Sequence, residues 1–450
     1  MQLTAPAATA CLFDRQRLQG AGRKAARLLA LGALVAGVLI AESVTRAADA
    51  WPQFRGPTAD GIAAETQVPL QWDRETNIRW RTELPGQGWS SPVIGEGIVY
   101  VSAAISRDAD SDADSDADSD GDYDLALILI DQESGEVRRV SKLIAQDSAT
   151  SPAIHKKNSH ASPTPLLAGE FVFVHFGHQG TACTDRQGNL VWVNRDHTFD
   201  PVHGNGGSPV LVDGRLIFTC DGGDEAYVLA LDARSGREVW RSPRPVDAKQ
   251  KFSFATPTVI DSGEGPLVIA PGSDCVTALD PASGEIRWWA RYNGYSVVPQ
   301  PVLCGERVLV VTGYGPTKLL AIRTGGSGEV TASHIDWEID RGVPKTPSAL
   351  VHAGLVYLVS DDGLASCLDG ESGELVWRGR LGGNYSASPV LVGERIYFCS
   401  EQGVTTVIRT GREFEKLASN DLQEATLASP AVAAEALFIR TDKALYRIQE

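Results

Sequence analysis

The chain has 450 residues, with 41 Lys+Arg, 57 Asp+Glu and a formal net charge of −16. Hydrophobic residues make up 43% of it, an ordinary globular composition that excludes wholesale disorder. Because there is no cationic surplus to neutralise phosphates, we expect neither a nucleic-acid partner nor attraction to an anionic membrane.

The first 50 residues are typical of an export signal. Five basic residues lie between Arg15 and Arg27 with no acid among them, and an apolar run follows from Leu28 to Ala41. The run is shorter than the roughly 20 residues of a membrane-spanning helix. It is followed by Ala48-Asp49-Ala50, which resembles a signal-peptidase site. We expect cleavage after Ala50 and a periplasmic or envelope location; the alternative is an uncleaved helix that anchors the protein.

One unit repeats along the chain. Each unit starts with a residue that is followed by proline. Two apolar runs, joined by a turn, come after this start. Eight such starts occur: Ser91-Pro92, Ser162-Pro163, Ser208-Pro209, Thr256-Pro257, Gln300-Pro301, Thr346-Pro347, Ser388-Pro389 and Ser429-Pro430. Successive starts are 41 to 48 residues apart, except for a first gap of 71 that contains an Asp-rich insert at 108–124.

Each unit has the pattern of four short strands. In the third unit, Asp213-Gly214 joins two apolar runs in the manner of a hairpin turn. A third run and a turn then lead to a strand with Trp, in the pattern A-L-D-x-x-S-G-x-x-x-W at Ala230–Trp240. Units of about 40 to 45 residues with four strands are typical of propeller blades. The sequence therefore predicts an all-β fold, an eight-bladed β-propeller of four-stranded blades.

The eighth unit lacks one strand. It starts at Ser429 and has room for only three strands before the last residue. Asn77–Arg81 match the end of a unit, so we expect this N-terminal strand to complete the blade and close the ring. The predicted organisation is an export signal at 1–50, a lead-in segment at 51–76 and a propeller at 77–450.

Six cysteines follow the export signal. They are Cys183, Cys220, Cys275, Cys304, Cys367 and Cys399. Each falls in or beside an apolar run, and no two lie close in sequence. We therefore expect buried small side chains rather than a disulfide framework. No cysteine lies close behind the apolar run of the export signal, so a lipid anchor is not expected.

The repeated A-L-D-x-x-S-G-x-x-x-W pattern resembles that of the PQQ-like β-propellers, the quinoprotein superfamily. The resemblance covers nearly all of residues 77–450. WPQFRGP at 51–57 and KNSHASPTP at 157–165 look like an exported bacterial subgroup. A more distant resemblance is to the barrel-assembly scaffold propeller of Gram-negative envelopes, which holds partner proteins. The resemblance implies blade-docking roles for Trp80, Trp192, Trp240, Trp288 and Trp377.

The same superfamily contains dehydrogenases that hold PQQ with a Ca²⁺ ion and a carboxylate base. Their alcohol dehydrogenases carry adjacent cysteines under the cofactor, and this chain has no Cys-Cys pair. We therefore expect no catalytic residues and no required cofactor, with a PQQ- and Ca²⁺-dependent oxidoreductase as the alternative.

Six of the eight histidines fall between positions 155 and 203. They are His155, His160, His175, His178, His197 and His203. His175 and His178 are three apart, which places them on opposite faces of an extended chain. We favour hydrogen-bonded loop histidines over a metal cluster.

The connections that enter the innermost strands of a propeller lie around the channel on one face, where ligands and partners commonly bind. The predicted binding rim consists of Trp89, His160, His203, Asn205, Phe254, Tyr295, Lys345 and Tyr385. This mixture of aromatic and polar side chains suits a small ligand or a peptide, although the aromatic residues could instead pack between blades.

The Asp-rich insert contains the D-x-D-x-D-G core of a calcium loop. The candidate ligands are Asp116, Asp118, Asp120 and Asp122. The twelfth position from Asp116 is Leu127 rather than the bidentate Glu, and the Asp-Ala/Ser alternation is typical of a solvated loop.

These patterns favour an exported, monomeric, non-catalytic propeller that binds an envelope protein or a small ligand at its rim. Besides the oxidoreductase, an envelope sugar- or calcium-binding protein is the remaining alternative.

Overall fold

The computed structural model describes residues 50–63, 67–107, 121–151 and 154–450. Residues 1–49 of the predicted export signal and Asp116, Asp118 and Asp120 lie outside the described residues. Within them, no helix is both long enough and apolar enough to cross a membrane. Three short helical turns are present: the 3-10 turns Ser148–Thr150 and Gly177–Gln179, and the helix Thr331–His334.

The described residues form eight antiparallel sheets, which are the blades of the predicted propeller. In each blade the strands follow one another from the channel outwards. Blade 1 contains β2 (Val93–Gly95), β3 (Ile98–Ser106), β4 (Tyr123–Asp131) and β5 (Val137–Gln146), and blade 2 contains β6 (Leu166–Ala168), β7 (Phe171–His175), β8 (Thr181–Asp185) and β9 (Leu190–Asn194). Blade 3 contains β10 (Val210–Val212), β11 (Arg215–Asp221), β12 (Ala226–Asp232) and β13 (Glu238–Pro243), and blade 4 contains β14 (Thr258–Asp261), β15 (Pro266–Gly272), β16 (Cys275–Leu279) and β17 (Ile286–Arg291).

The remaining blades continue in the same order around the ring. Blade 5 contains β18 (Val302–Cys304), β19 (Arg307–Val311), β20 (Leu319–Arg323) and β22 (Ile335–Ile339), and blade 6 contains β23 (Leu350–His352), β24 (Leu355–Val359), β25 (Leu364–Asp369) and β26 (Leu375–Arg380). Blade 7 contains β27 (Val390–Val392), β28 (Arg395–Cys399), β29 (Val404–Arg409) and β30 (Lys416–Asp421), and blade 8 contains β31 (Ala431–Ala433), β32 (Ala436–Arg440), β33 (Ala444–Ile448) and β1 (Ile78–Glu83). Blade 4 has an additional short parallel strand, β21 (Gly328–Glu329), on its outer edge.

The eighth blade confirms the predicted ring closure. β1 pairs antiparallel with β33, from Ile78 opposite Ile448 to Glu83 opposite Ala444. The inner strands of blades 8 and 1 contact each other, as do those of other neighbouring blades. The first and last parts of the propeller therefore share one sheet.

The core lies between neighbouring blades rather than within one layer. Between blades 2 and 3, for example, Leu166 and Phe173 pack against Leu216 and Phe218, all at most 3% exposed. The six cysteines are buried and free, as predicted.

In five of the eight blades, the outer strand is joined to the next blade by the hydrogen bond of a tryptophan. Each of the five predicted tryptophans donates its indole N–H to a backbone carbonyl of the following blade: Trp80 to Gln132, Trp192 to Ala233, Trp240 to Pro281, Trp288 to Thr324 and Trp377 to Gly411, at 2.7 to 3.1 Å. In blade 5, Trp337 occupies the same position, which the sequence pattern did not reveal; its ring lies against Gly373.

The Asp and Gly of the repeat shape the turn that receives this indole. The Asp232 carboxylate accepts hydrogen bonds from the Ser235 N–H at 2.8 Å and hydroxyl at 2.7 Å. These bonds lower the pKa of Asp232. Gly236 follows with φ +70°, and a Cβ there would lie 2.5 Å from the Trp192 ring. The position therefore requires glycine for both its backbone angle and its close approach.

At six of the eight junctions, the inner strands of neighbouring blades are joined by hydroxyl groups. A backbone N–H at the start of one blade donates to the side-chain oxygen at the same position of the next: Ser91 to Thr164, Thr164 to Ser208, Ser208 to Thr256, Gln300 to Ser348, Ser348 to Ser388 and Ser388 to Ser429, at 2.9 to 3.0 Å. We call the six accepting residues the hydroxyl ring.

The hydroxyl ring corrects the register of two repeat starts. In blade 2 the equivalent residue is Thr164 rather than Ser162, and in blade 6 it is Ser348 rather than Thr346. A second Ser/Thr-Pro pair stands beside the true start in blade 2, and in blade 6 the true start is followed by Ala349 instead of proline.

Replacing Trp288 by Ala should destabilise the propeller far more than replacing its neighbour Trp289. Trp288 is 1% exposed and packs between blades 4 and 5, whereas Trp289 is half-buried. Truncating a buried Trp typically lowers the free energy of unfolding by about 3–5 kcal/mol. Denaturant unfolding of both variants measures the difference, and equal losses would contradict the docking role.

Candidate functional site

The central channel is crossed near one end by the lead-in segment. Trp51 pairs with Ile94 of blade 1 through N–H···O bonds of 2.9 and 2.8 Å. The Leu167 N–H of blade 2 donates to the Pro52 carbonyl at 2.7 Å, and Ile62 pairs with Leu391 of blade 7. Residues 51–63 therefore contact blades 1, 2 and 7 and form a floor across the channel.

Arg55 anchors this floor to blade 6. Its Nη2 donates to the Ala349 carbonyl and to the Asp60 carbonyl, both at 2.6 Å. Burial lowers the pKa of the Arg55 guanidinium to about 10, with the Asp60 charge opposing that shift. Gly56 lies flat on the Trp51 ring, where a Cβ would be 2.7 Å from it. The W-P-Q-F-R-G-P stretch is thus built to cross the channel.

The connection between blades 1 and 2 covers part of the other end. We call residues 154–160 the mouth loop. Ile154 pairs with His203 of blade 3, and the Asn158 side chain donates to the His203 carbonyl at 2.8 Å. Lys157 reaches in the other direction and forms a 2.7 Å ion pair with Glu401 of blade 7. The loop therefore bridges opposite blades at the channel mouth.

A cavity of about 350 Å³ lies between the floor and the mouth loop. Phe54 of the floor and all six residues of the hydroxyl ring line it. The mouth loop contributes His155, Lys157 and Asn158. This volume falls in the range of small-molecule sites, which are about 300–1,000 Å³.

One side of the cavity is an arc of aromatic rings. His203 contacts Phe252 edge-on at a centroid distance of 5.3 Å, and Phe252 contacts Tyr295 at 5.8 Å. Tyr295 continues to Tyr314 at 6.4 Å, and Phe254 lies 6.0 Å from Phe252. We call these five residues the aromatic arc. They provide faces and edges on which a flat or apolar ligand can pack.

The predicted rim residues fall into two groups. Trp89, His203, Phe254 and Tyr295 line the cavity. Lys345 lies beside it, with its ammonium 5.0 Å from the centre of the Tyr314 ring.

The other three predicted rim residues are buried behind the cavity wall. Asn205 is 8% exposed and its amide lies 3.0 Å from the His178 ring nitrogen. His160 is 7% exposed and stacks on Tyr123 at 4.9 Å. Tyr385 is 1% exposed in the core between blades 6 and 7, and burial raises its pKa to about 12. The expectation that these side chains face the channel mouth is wrong, because the chain turns them inwards between blades.

Lys157, Phe252 and Tyr314 line the cavity without having been singled out for the rim. Tyr314 lies in the turn between β19 and β20, on the face of the connections between blades. Its flanking glycines, Gly313 and Gly315, could have marked this turn in the sequence. Lys157 could not be found in this way, because its position depends on the path of the mouth loop.

Half of the chain matches a known protein family. A family model described as outer membrane protein assembly factor BamB matches residues 224–450. The chain belongs to this family.

BamB of Shewanella oneidensis is 25% identical to the chain over 207 residues. That alignment covers 41% of this chain and half the length of the relative. Among solved structures, BamB from Moraxella catarrhalis has a TM-score of 0.53 at 16% identity, covering 86% of this chain and 98% of that one.

Dehydrogenases share the same architecture. Quinohemoprotein alcohol dehydrogenase from Comamonas testosteroni has a TM-score of 0.62 at 12% identity, covering 90% of this chain and 81% of that one. A europium-containing methanol dehydrogenase also has a TM-score of 0.62, at 11% identity, covering 88% and 90%. At these identities the likeness shows the fold alone.

The cavity of this BamB-family chain does not fit a calcium ion with PQQ. Ca²⁺ prefers carboxylate and carbonyl oxygens. The described residues that line the cavity include no Asp or Glu. Across the described part of the chain, no group of three His, Cys, Asp or Glu side chains is placed to hold a metal ion. We therefore derive no chemical step through this cofactor.

Asp122 is the one candidate calcium ligand within the described residues. Its carboxylate accepts the Ser148 N–H at 2.7 Å and lies 3.7 Å from the Arg107 guanidinium. The Ser148 bond and the Arg107 charge lower the pKa of Asp122, although it is exposed. The side chain therefore fastens the base of the Asp-rich insert.

His175 is a structural histidine behind the aromatic arc. Its Nδ1 lies 2.8 Å from the Thr181 hydroxyl, and its ring packs on Phe218 at 4.1 Å. Burial, with a smaller contribution from His178, lowers the pKa of His175 from 6.5 to about 3.

The stability of the protein should depend on His175 as the pH falls. Below pH 6.5 the unfolded chain binds a proton at this residue while the folded protein does not, until the pH approaches 3. Stability present above pH 6.5 is therefore lost at up to about 1.4 kcal/mol per pH unit as the pH falls towards 3.

Denaturant unfolding between pH 7 and pH 5 measures this slope. His175→Gln should flatten the slope relative to the wild-type protein. Parallel curves for wild type and His175→Gln would contradict the assignment.

Proposed function

We propose that this protein is an exported, non-catalytic propeller of the bacterial envelope that holds a ligand or a segment of a partner protein at the mouth of its channel. The observation that carries the proposal is the 350 Å³ cavity, floored by the protein's own lead-in segment and lined by aromatic rings and hydroxyls. Because the floor lies across one end, the mouth is the face at which a binding partner meets this lining.

Membership of the BamB family supports an envelope scaffold, since that family is described as an outer membrane protein assembly factor. The basic and apolar segments of residues 1–50 support export. The chain spans about half the length of the curated relative that it matches.

A dehydrogenase is the competing function, and only the shared fold favours it. Its chemistry needs a carboxylate base near the bound substrate. The described cavity wall instead offers hydroxyls, aromatic rings, two histidines and the paired Lys157.

Site-directed photo-crosslinking in the producing cell tests the binding face. Tyr314 at the mouth is 39% exposed, and Leu303 in the same blade is 42% exposed. Tyr314 follows β19 and Leu303 precedes it, so the two lie at opposite ends of the propeller. A benzophenone amino acid at position 314 should give a discrete adduct.

The same probe at position 303 is the matched control and should give none. Equal labelling at both positions, or an adduct at 303 alone, would contradict the mouth as the binding face.

A further inference from the structure

The polar lining of the cavity consists mainly of neutral hydroxyl groups. Eleven of the described residues that line it are Ser or Thr, and six of these form the hydroxyl ring. The described lining contains one Lys or Arg, which is Lys157, and its ammonium is already paired with Glu401 at 2.7 Å. Since this lining also contains no Asp or Glu, the interior of the cavity has no unpaired carboxylate, ammonium or guanidinium for a charged ligand.

The charged groups beside the mouth balance one another. Burial raises the pKa of the Tyr314 hydroxyl, and the nearby Asp361 adds to this shift. Lys157 opposes it and Glu401 adds to it. The Lys345 ammonium lies 5.0 Å from the centre of the Tyr314 ring. Two carboxylates and two ammonium groups therefore meet here, which favours neither an anionic nor a cationic ligand.

Each hydroxyl of the ring can both donate and accept hydrogen bonds. It accepts one backbone N–H from the preceding blade, which leaves one lone pair and its own proton. The six residues are at most 7% exposed and come from six of the eight blades, so they surround the cavity. The group that uses both capacities of a hydroxyl is one that also donates and accepts, such as another hydroxyl.

The aromatic arc stands beside this ring. Phe254 lies two residues before Thr256, and His203 lies five residues before Ser208 in the preceding connection. The face of an aromatic ring carries partial negative charge, which attracts the slightly positive C–H groups of a saturated ring. A ligand with hydroxyls around its edge and C–H groups on one face therefore suits both walls.

Other classes of small ligand fit this lining less well. A purely apolar ligand would displace water from the buried hydroxyls without replacing its hydrogen bonds. A charged ligand would lose hydration without meeting an unpaired opposite charge. The volume of about 350 Å³ is near the lower end for small-molecule sites, which suits a mono- or disaccharide rather than a longer chain.

We propose that the cavity binds a neutral mono- or disaccharide, with the sugar hydroxyls on the hydroxyl ring and a C–H face of the sugar on the aromatic arc. This inference rests on the proposed function in using the cavity behind the mouth as the binding site.

Matched sugars test the class of ligand. The neutral probes are glucose, galactose and mannose, with the disaccharides maltose, cellobiose and lactose. The charged probes are the uronic acid and the 2-amino sugar of each monosaccharide, which keep the ring and most hydroxyls but add a negative or a positive charge. Calorimetric titration of the purified protein should show saturable binding of at least one neutral sugar, and both charged forms of its monosaccharide should bind at least about tenfold more weakly.

A first pair of variants tests the hydroxyl ring with the neutral sugar that binds most tightly. Ser208→Ala removes a ring hydroxyl and should weaken binding about threefold to tenfold. The matched control is Ser141→Ala, which removes another buried hydroxyl bond between blades, 2.7 Å to the Gly188 carbonyl, outside the cavity. It should bind the sugar like the wild-type protein.

A second pair tests the aromatic arc in the same titration. Phe252→Leu keeps an apolar side chain but removes the ring face, and it should weaken binding about threefold to tenfold. Phe171→Leu is the control, because Phe171 is also half-buried but lies in β7 outside the cavity. This control should leave the affinity unchanged.

Three results would each overturn the inference: no saturable binding of any neutral sugar, a uronic acid or amino sugar that binds as tightly as its neutral parent, or losses in the two control variants as large as those in Ser208→Ala and Phe252→Leu. The crosslinking at position 314 is measured without added sugar. Failure of the proposed function and failure of this inference are therefore read from separate experiments.

Discussion

Each blade of this propeller is joined to the next by at least one of two contacts that it cannot make alone. Near the axis, a backbone N–H finds its acceptor in the hydroxyl of the following blade. On the outside, an indole N–H finds its acceptor in the turn of the following blade. A buried N–H without a partner costs about 1–3 kcal/mol, so the blades are stable as a ring rather than as separate sheets.

At the junction of blades 8 and 1, an arginine takes the place of the hydroxyl contact between inner strands. Arg440 is fully buried there and donates to the Ser90 hydroxyl at 2.7 Å and to the Ser102 carbonyl at 2.9 Å. Burial alone lowers its pKa to about 9. On the outside, Trp80 of β1 reaches the Gln132 carbonyl of blade 1, and Arg447 of β33 reaches the same carbonyl at 2.7 Å. The strand that closes the ring therefore also supplies a blade-to-blade contact.

Much of the architecture could be predicted because each blade repeats its turn chemistry. The spacing of the proline starts and the missing eighth outer strand together indicated eight blades and their closure. Trp337 was missed because residues 324–334 lengthen the connection before it and remove the Asp-Ser-Gly turn.

Sequence reasoning identified only part of the binding rim. A fixed offset from the start found Trp89 and Phe254, but the same offset gave His160, which is buried between blades. Nothing local to Lys157 indicates that its side chain pairs across the channel with Glu401.

The measurement that tests the central claim most directly is a titration of the purified protein with PQQ in the presence of Ca²⁺, followed by tryptophan fluorescence. Trp89 lines the cavity and would report a ligand bound there. A binding propeller whose cavity wall lacks carboxylates should show no saturable, Ca²⁺-dependent quenching. Stoichiometric, Ca²⁺-dependent binding of PQQ would contradict the account and place the protein with the dehydrogenases that share its fold.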